Sequence, residues 1–343
     1  MASGQSARRR TDKGTLLFVS ARDVTKYGFI GKPHYIFKDL MSDYKLVVLN
    51  NPQYWKQAFR KPSDEYKKYF PEDRVTIVDG YSVKVKGLLL HEVANVVPNL
   101  LLLLKLLRRE KLVCIVNGNV LAGTFLWFLK LVKRVPLVFI FDDYFPLLIT
   151  KAGLKAKGLK ALVLRSLAKA VMDFNLRISD AVVACSYMLY EYAKSVGVKA
   201  YFVPNGVEVV NAPVDAREAR REFGLSEDDA VVGYVGAIRF LDVEMVCEAL
   251  GRLRATGFNV KLLVAGDGPQ LGDFQEAIRR RGLENHAIFL GRVRKEEVAR
   301  VATAADVCII PFERSVAITL FPLKLLELSL IHISEPTRPR LIS

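Results

Sequence analysis

The chain has 343 residues, 51% apolar and 25% charged, a balance that supports large buried cores and excludes a disordered or low-complexity protein. Residues 1–205 carry 33 Lys and Arg against 16 Asp and Glu, a net +17, and residues 206–343 carry 18 against 20, a net −2. The positive field therefore belongs to the first part alone. No stretch approaches the roughly 18 uninterrupted apolar residues of a membrane span, and Cys114, Cys185, Cys247 and Cys308 stand far apart without metal-ligand spacing. They read as buried thiols in a reducing compartment.

Residues 1–13 are polar, with Arg8, Arg9 and Arg10 in a row and no apolar stretch behind them. They read as a disordered basic arm and not as a secretory signal. From residue 14 onward, short runs rich in Val, Ile and Phe alternate with longer helical patterns, the signal for βαβ units and a parallel sheet. Strands are predicted at 15–20, 45–49, 75–78, 112–116, 136–141, 181–184 and 200–203, and helices at 34–41, 99–109, 121–133, 160–177 and 186–196. The helix at 99–109 is rich in leucine and ends in Arg108 and Arg109. It suits the core of the first domain and, equally, an interfacial helix on anionic lipid.

A first domain over 14–206 closes at Pro204-Asn205-Gly206, a turn sequence, and residues 207–230 form a polar linker segment. The strand pattern then restarts at 231–235, 260–265, 287–289 and 307–310, with helices near 243–256, 270–281 and 295–303. A second domain thus occupies 231–330. Residues 331–343 contain two prolines, show no periodicity and look like translated adapter sequence. They are expected to be a non-native tail that leaves the second domain incomplete.

Hydrolase-elbow, zinc-protease, P-loop and GxGxxG patterns are all absent, which removes the usual support for those chemistries. What remains are glycine-containing turns at strand ends, where open α/β sheets bind ligands. The loop "RDVTKYGFIGKPH" offers Gly28 and Gly31 for close approach of backbone N–H groups to a phosphate; an ordinary connecting loop would look the same. The run "VFIFDDYFP" delivers Asp142 and Asp143 to a strand end. Adjacent acids point different ways, so one can orient an acceptor hydroxyl while the pair does not hold a metal; a helix cap or salt bridge is the alternative.

The run "GYVGAIRF" ends a buried strand at Gly236 with Arg239 behind it, where a guanidinium can neutralise a leaving diphosphate. The turn at 264–269 reads as structural, from its Gly-Asp-Gly-Pro chemistry. In "TLFPLKLLE", Thr319 precedes a helix opened by Pro322, with Lys324 in its first turn and Glu327 one turn later. A helix N-terminus beside Thr and Lys suits a phosphate, and a carboxylate one turn in suits a ribose diol.

The succession "ISDAVVACSYMLYEYAKSVGVKAYFVPNGVE" (178–208), "VVGYVGAIRF" (231–240), "LLVAGDGPQ" (262–270), "AIFLGRVRKEEVARVATAADVCIIPF" (287–312) and "PLKLLE" (322–327) resembles the retaining glycosyltransferases of family 4. The resemblance is specific over about 179–330 and looser over 14–178. It implies the GT-B fold, two Rossmann-like doubly wound parallel-sheet domains, with the nucleotide sugar held by the second and the acceptor received by the first. It further implies ribose binding by Glu327, a base-side loop at Gly291 and Arg292, a diphosphate clamp near Arg239, and Asp142 at the position of a catalytic-site histidine. Thr319 stands where many members carry a glutamate, and no lysine follows Arg239 at the usual place.

The implied reaction is transfer of a sugar, with retention, from a nucleoside-diphosphate sugar acting as co-substrate, without a metal or other cofactor. The implied acceptor is a glycan, lipid-phosphate-linked or at the cell surface. The implied location is the cytoplasm, with peripheral contact at the inner face of the membrane. The basic first domain favours an anionic partner such as lipid, or is simply a solvated surface. No motif for specific nucleic-acid recognition accompanies it. A nucleotide-sugar epimerase of the same fold and a non-catalytic nucleotide-sugar-binding protein remain open alternatives.

Overall fold

The computed structural model describes residues 12–21, 23–25, 32–51, 64–81, 88–148, 158–206, 214–317 and 323–333. The chain divides into two compact units, residues 1–204 and 205–343. The first holds strands β1 (Thr15–Val19), β2 (Lys45–Asn50), β3 (Val75–Asp79), β4 (Leu112–Asn117), β5 (Leu137–Phe141), β6 (Ala181–Ala184) and β7 (Ala200–Phe202). Its helices are α1 (Lys32–Leu40), α2 (Leu88–Leu106), α3 (Gly123–Lys133), α4 (Phe145–Leu148), α5 (Gly158–Ile178) and α6 (Tyr187–Ser195). The strands form one sheet in the order β3-β2-β1-β4-β5-β6-β7, and every pair is parallel.

Strand β1 is buried along its whole length, as a central strand covered on both faces must be. Its alternation separates two cores: Leu16 and Phe18 pack with Phe37 of α1, while Leu17 and Val19 pack with Leu103 of α2 and Leu126 of α3. The α2 helix starts eleven residues before the predicted boundary at residue 99 and contains Pro98. A proline costs a helix one N–H donor and a clash with the preceding turn, and here Leu103 and Leu107, both fully buried, anchor the segment in spite of it. A buried amide cluster ties α5 to the sheet: Asn117 Nδ2 donates to Asn175 Oδ1 at 2.9 Å, and Asn175 Nδ2 donates to the Val171 carbonyl at 2.8 Å.

The second unit holds β8 (Ala230–Val235), β9 (Val260–Ala265), β10 (Ala287–Gly291) and β11 (Val307–Cys308). Its helices are α7 (Ala216–Glu222), α8 (Val243–Ala255), α9 (Leu271–Arg280), α10 (Lys295–Ala304), α11 (Arg314–Ala317) and α12 (Leu323–Ile333). The sheet order is β10-β9-β8-β11, again parallel throughout. Both sheets are doubly wound, with the order reversing beside β1 and beside β8, as the GT-B resemblance implied. In α8 the residues Val243, Val246, Cys247 and Leu250 are buried, the one-face spacing of an amphipathic helix, and Asp242 caps it by accepting from the Met245 N–H at 3.0 Å. The α12 helix runs three residues past Leu330, to Ile333; residues 334–343 lie outside those described.

The polar stretch after residue 206 contains α7, held by a buried arginine. Arg220 Nε donates to the Ala304 carbonyl at 3.1 Å, its Nη1 to the Ser226, Glu227 and Asp229 carbonyls, and its Nη2 meets Asp306 Oδ2 at 2.8 Å. The same Asp306 oxygen accepts from the Val231 N–H, so one ion pair joins α7, the start of β8 and the end of α10. Arg220→Met should leave a carboxylate and several carbonyls unpaired and cost about 3 kcal/mol, read as a lower urea midpoint at unchanged slope.

All four cysteines are free thiols. Burial pushes Cys114 and Cys308 up to about 11. A folded thiol value above the unfolded one contributes stability that is present below about pH 9 and lost as pH rises through 11. Alkylation of these two by iodoacetamide at pH 8 should run about 100-fold slower than in the urea-unfolded chain.

Candidate functional site

The carboxyl edge of the second sheet is built from three close backbone approaches. Gly236 follows β8, and its N–H donates to the Ala265 carbonyl at 2.9 Å. Its own carbonyl oxygen lies 1.8 Å from where a Cβ on Gly266 would stand. The Gly266 N–H donates to the Gly291 carbonyl at 2.7 Å, and Gly291 takes φ 65°, a left-handed conformation that favours glycine. Gly268 is also confined, since a Cβ there would meet the Ile238 carbonyl oxygen at 2.4 Å. The ends of β8, β9 and β10 are thus held in contact, and the β8 end stands beside the point where strand order reverses, the usual ligand position in an open α/β sheet.

The loop after β8 is pinned from several sides. Ile238 N–H donates to the Asp267 carbonyl at 3.0 Å, and Gln270 N–H to the Ile238 carbonyl at 3.1 Å. The Gln270 side chain then reaches Leu241 twice, accepting from its N–H at 2.9 Å and donating to its carbonyl at 3.2 Å. Tyr234 donates its hydroxyl to the Ala237 carbonyl at 2.7 Å; burial pushes its pKa up, while the charge of Arg239 opposes that shift. Arg239 is exposed, with its guanidinium 5.4 Å from the Phe240 ring centre. Phe240 itself adopts φ 60°, a strained conformation for an aromatic residue, fixed by the Glu313 N–H donating to its carbonyl at 2.8 Å.

Lys324, in the first turn of α12, brings its Cγ to 4.0 Å from the Cβ position of Gly236, and its ammonium pairs with Glu327. Both side chains are partly buried. Gly236, Gly291, Lys324 and Glu327 are therefore drawn together around the ends of β8 and β10. Arg292 follows Gly291 and is exposed. A cationic side chain, an N-terminal helical turn and closely packed glycine backbone form a setting for a phosphate group. Gln270 was not singled out from sequence, because a side chain bonding to a loop 29 positions away leaves no local pattern.

Asp142 belongs to the first unit, directly after β5 and partly buried, with its carbonyl accepting from the Cys185 thiol at 3.3 Å. Gly28, Gly31 and Thr319 lie outside the described residues. Among the described residues no group of three or more His, Cys, Asp or Glu converges as a metal site would require.

Residues 229–331 match the model of the family described as Glycosyl transferases group 1. The chain is 32% identical over 102 residues to the 2-deoxystreptamine glucosyltransferase of Streptomyces kanamyceticus, covering 29% of this chain and 26% of that protein. It is 26% identical over 160 residues to the alpha-monoglucosyldiacylglycerol synthase of Streptococcus pneumoniae, covering 44% and 36% respectively. The matches thus span about a quarter to a third of these curated relatives. Among solved structures, HepE of Anabaena in complex with UDP-glucose superposes with a TM-score of 0.61 at 15% identity, over 93% of this chain and 78% of that one. Sucrose-phosphate synthase of Thermosynechococcus elongatus gives 0.65 at 16% identity, over 93% and 79%. At these identities the likeness is one of fold.

The Gly236–Gly266 contact can be tested by substitution. Gly266→Ala should force the two turns apart and cost about 1–3 kcal/mol. Gly251→Ala, in α8 where nothing lies within 4 Å of the added carbon, should stabilise by about 0.5–1 kcal/mol. Thermal unfolding of the two variants should move in opposite directions.

Proposed function

We propose that this chain is a glycosyltransferase that moves a sugar from a nucleoside-diphosphate sugar to an acceptor with retention of configuration. The observation that carries the reading is the approach of Lys324 to Gly236 at the switch point of the second sheet. The family match over 229–331 covers the same residues, and relatives named as glucosyltransferase and glucolipid synthase support a sugar-transfer chemistry.

In this reading the diphosphate lies over the glycine turns, where the absence of side chains admits it to the backbone. The Lys324 ammonium and the first turn of α12 face the β-phosphate, and the Arg239 guanidinium approaches from the other loop. Charge builds on the leaving diphosphate as the glycosidic bond breaks, and fixed cations and dipoles stabilise it more there than in the ground state. Glu327 takes the ribose hydroxyls, and Gly291 with Arg292 borders the base. The first domain receives the acceptor, with Asp142 orienting its hydroxyl, and Gly28 and Gly31 provide a phosphate-facing loop. No metal is called for, because side chains and helix termini supply the positive charge.

UDP-sugars are the first donors to try, since HepE was solved with UDP and UDP-glucose. The net +17 of residues 1–205 favours a lipid-phosphate-linked or cell-surface glycan acceptor, met at the cytoplasmic face of the membrane.

Calorimetric titration with UDP, GDP and ADP and their hexose conjugates tests the donor site. One nucleotide series should bind, and Lys324→Met should weaken it about 10- to 100-fold through loss of charge-assisted hydrogen bonds. Glu327→Gln should weaken it less, since ribose contacts are neutral on one side. Binding by no nucleotide would refute the reading. Conversion of the donor to an isomeric nucleotide sugar without acceptor would assign an epimerase instead, and binding without transfer or hydrolysis a non-catalytic binder.

A further inference from the structure

Helix α5 carries two apolar faces. Ala168, Met172 and Leu176 are buried inward, which is ordinary for a helix packed on a sheet. The opposite stripe, Leu159, Leu162, Val163, Leu167 and Phe174, follows the same helical spacing and is exposed, Leu159 to 75% and Leu162 to 60%. Scattered single apolar residues on a surface need no explanation, whereas a contiguous outward stripe does.

The neighbouring α3 packs against both α2 and α5 and extends the surface with exposed Phe128, Leu131 and Val132. Charge along α5 is mostly positive. Residues 158–178 hold four Lys and Arg and one acid, Asp173, and that acid is occupied by Lys169 at 2.6 Å and the Tyr192 hydroxyl at 2.6 Å. Lys160 and Lys169 flank the stripe, about 70° to one side of its centre and about 110° to the other on the helical wheel. Lys133 and Arg134 close the end of α3.

We propose that the outward face of α3 and α5 docks on an anionic lipid bilayer, lying in the interface with its leucines among the acyl chains and its lysines and arginines at the headgroups. Such a helix binds through apolar area plus attraction to anionic lipid. A second copy of this chain fits less well, because a self-complementary contact would bring one basic rim against the other. Among the described residues no helix is long and apolar enough to cross a membrane, so the contact is a surface one. The leucine-rich α2 buries Leu103 in the core and leaves Val97 and Leu101 exposed. The inference deepens the membrane-side acceptor reading and rests on it. It is read without donor or acceptor, so a failed donor titration and a failed vesicle assay point to different faults.

The test is sedimentation of the full chain with vesicles of phosphatidylcholine alone and of phosphatidylcholine mixed with phosphatidylglycerol. Binding should require the anionic lipid and weaken with salt. The double variant Leu162→Glu and Leu167→Glu should lower vesicle affinity by at least about tenfold. The control pair Met245→Glu and Phe258→Glu, exposed in the second unit, should leave it unchanged, with circular dichroism confirming that both variants fold. Three results would overturn the proposal: no anionic preference, equal loss in the control, or a dimer in sedimentation velocity that the Leu162 and Leu167 substitutions dissolve.

Discussion

A carbonyl oxygen occupies the space that any side chain at residue 266 would need. The 1.8 Å separation between the Gly236 oxygen and a Cβ on Gly266 forces glycine at the end of β9, and the resulting contact brings the loops after β8 and β9 together. The second unit's candidate site follows from it. The β8 loop can then lean on Asp267 and Gln270, Arg239 is held beside Phe240, and Lys324 reaches the Gly236 turn. Without the close approach, the charges at Arg239 and Lys324 would stand on independent loops. A preorganised cluster is what stabilises developing charge, since its dipoles need not reorganise during reaction.

Local patterns carried much of this architecture. Strands β6 and β9 lie at their predicted bounds, because short β-branched or apolar runs between polar residues have few alternatives. The start of α2 was not legible: Pro98 reads as a breaker, and only tertiary burial of Leu103 and Leu107 outweighs it. Helix α7 was hidden for a different reason. Its seven residues bury Ala219 and Arg220, and an arginine used as an internal staple looks like surface in a sequence. Gly236, Gly291, Lys324 and Glu327 were legible as turn and helix-start residues, but the backbone clash that makes Gly266 and Gly268 obligatory is a three-dimensional fact. The turn holding them reads as merely structural, and its structural part is what supports the site.

The two units divide the physical work. In the second, charge is nearly balanced, with a buried arginine, Arg220, paired to Asp306 and a partly buried pair of Lys324 with Glu327. In the first, positive charge is in surplus and sits beside outward apolar residues on α3 and α5. A surplus of this kind does little for folding; it contributes to where the molecule spends its time. A soluble, anionic donor and an acceptor gathered at a surface are the two partners that such a division suits.

The most direct measurement is hydrogen–deuterium exchange of the full chain with and without a saturating nucleoside diphosphate. Protection is expected in peptides covering 235–241, 265–270, 290–292 and 323–327, the segments around the Gly236–Gly266 contact. Protection confined to the first unit, or none in these segments despite measurable binding, would contradict that expectation.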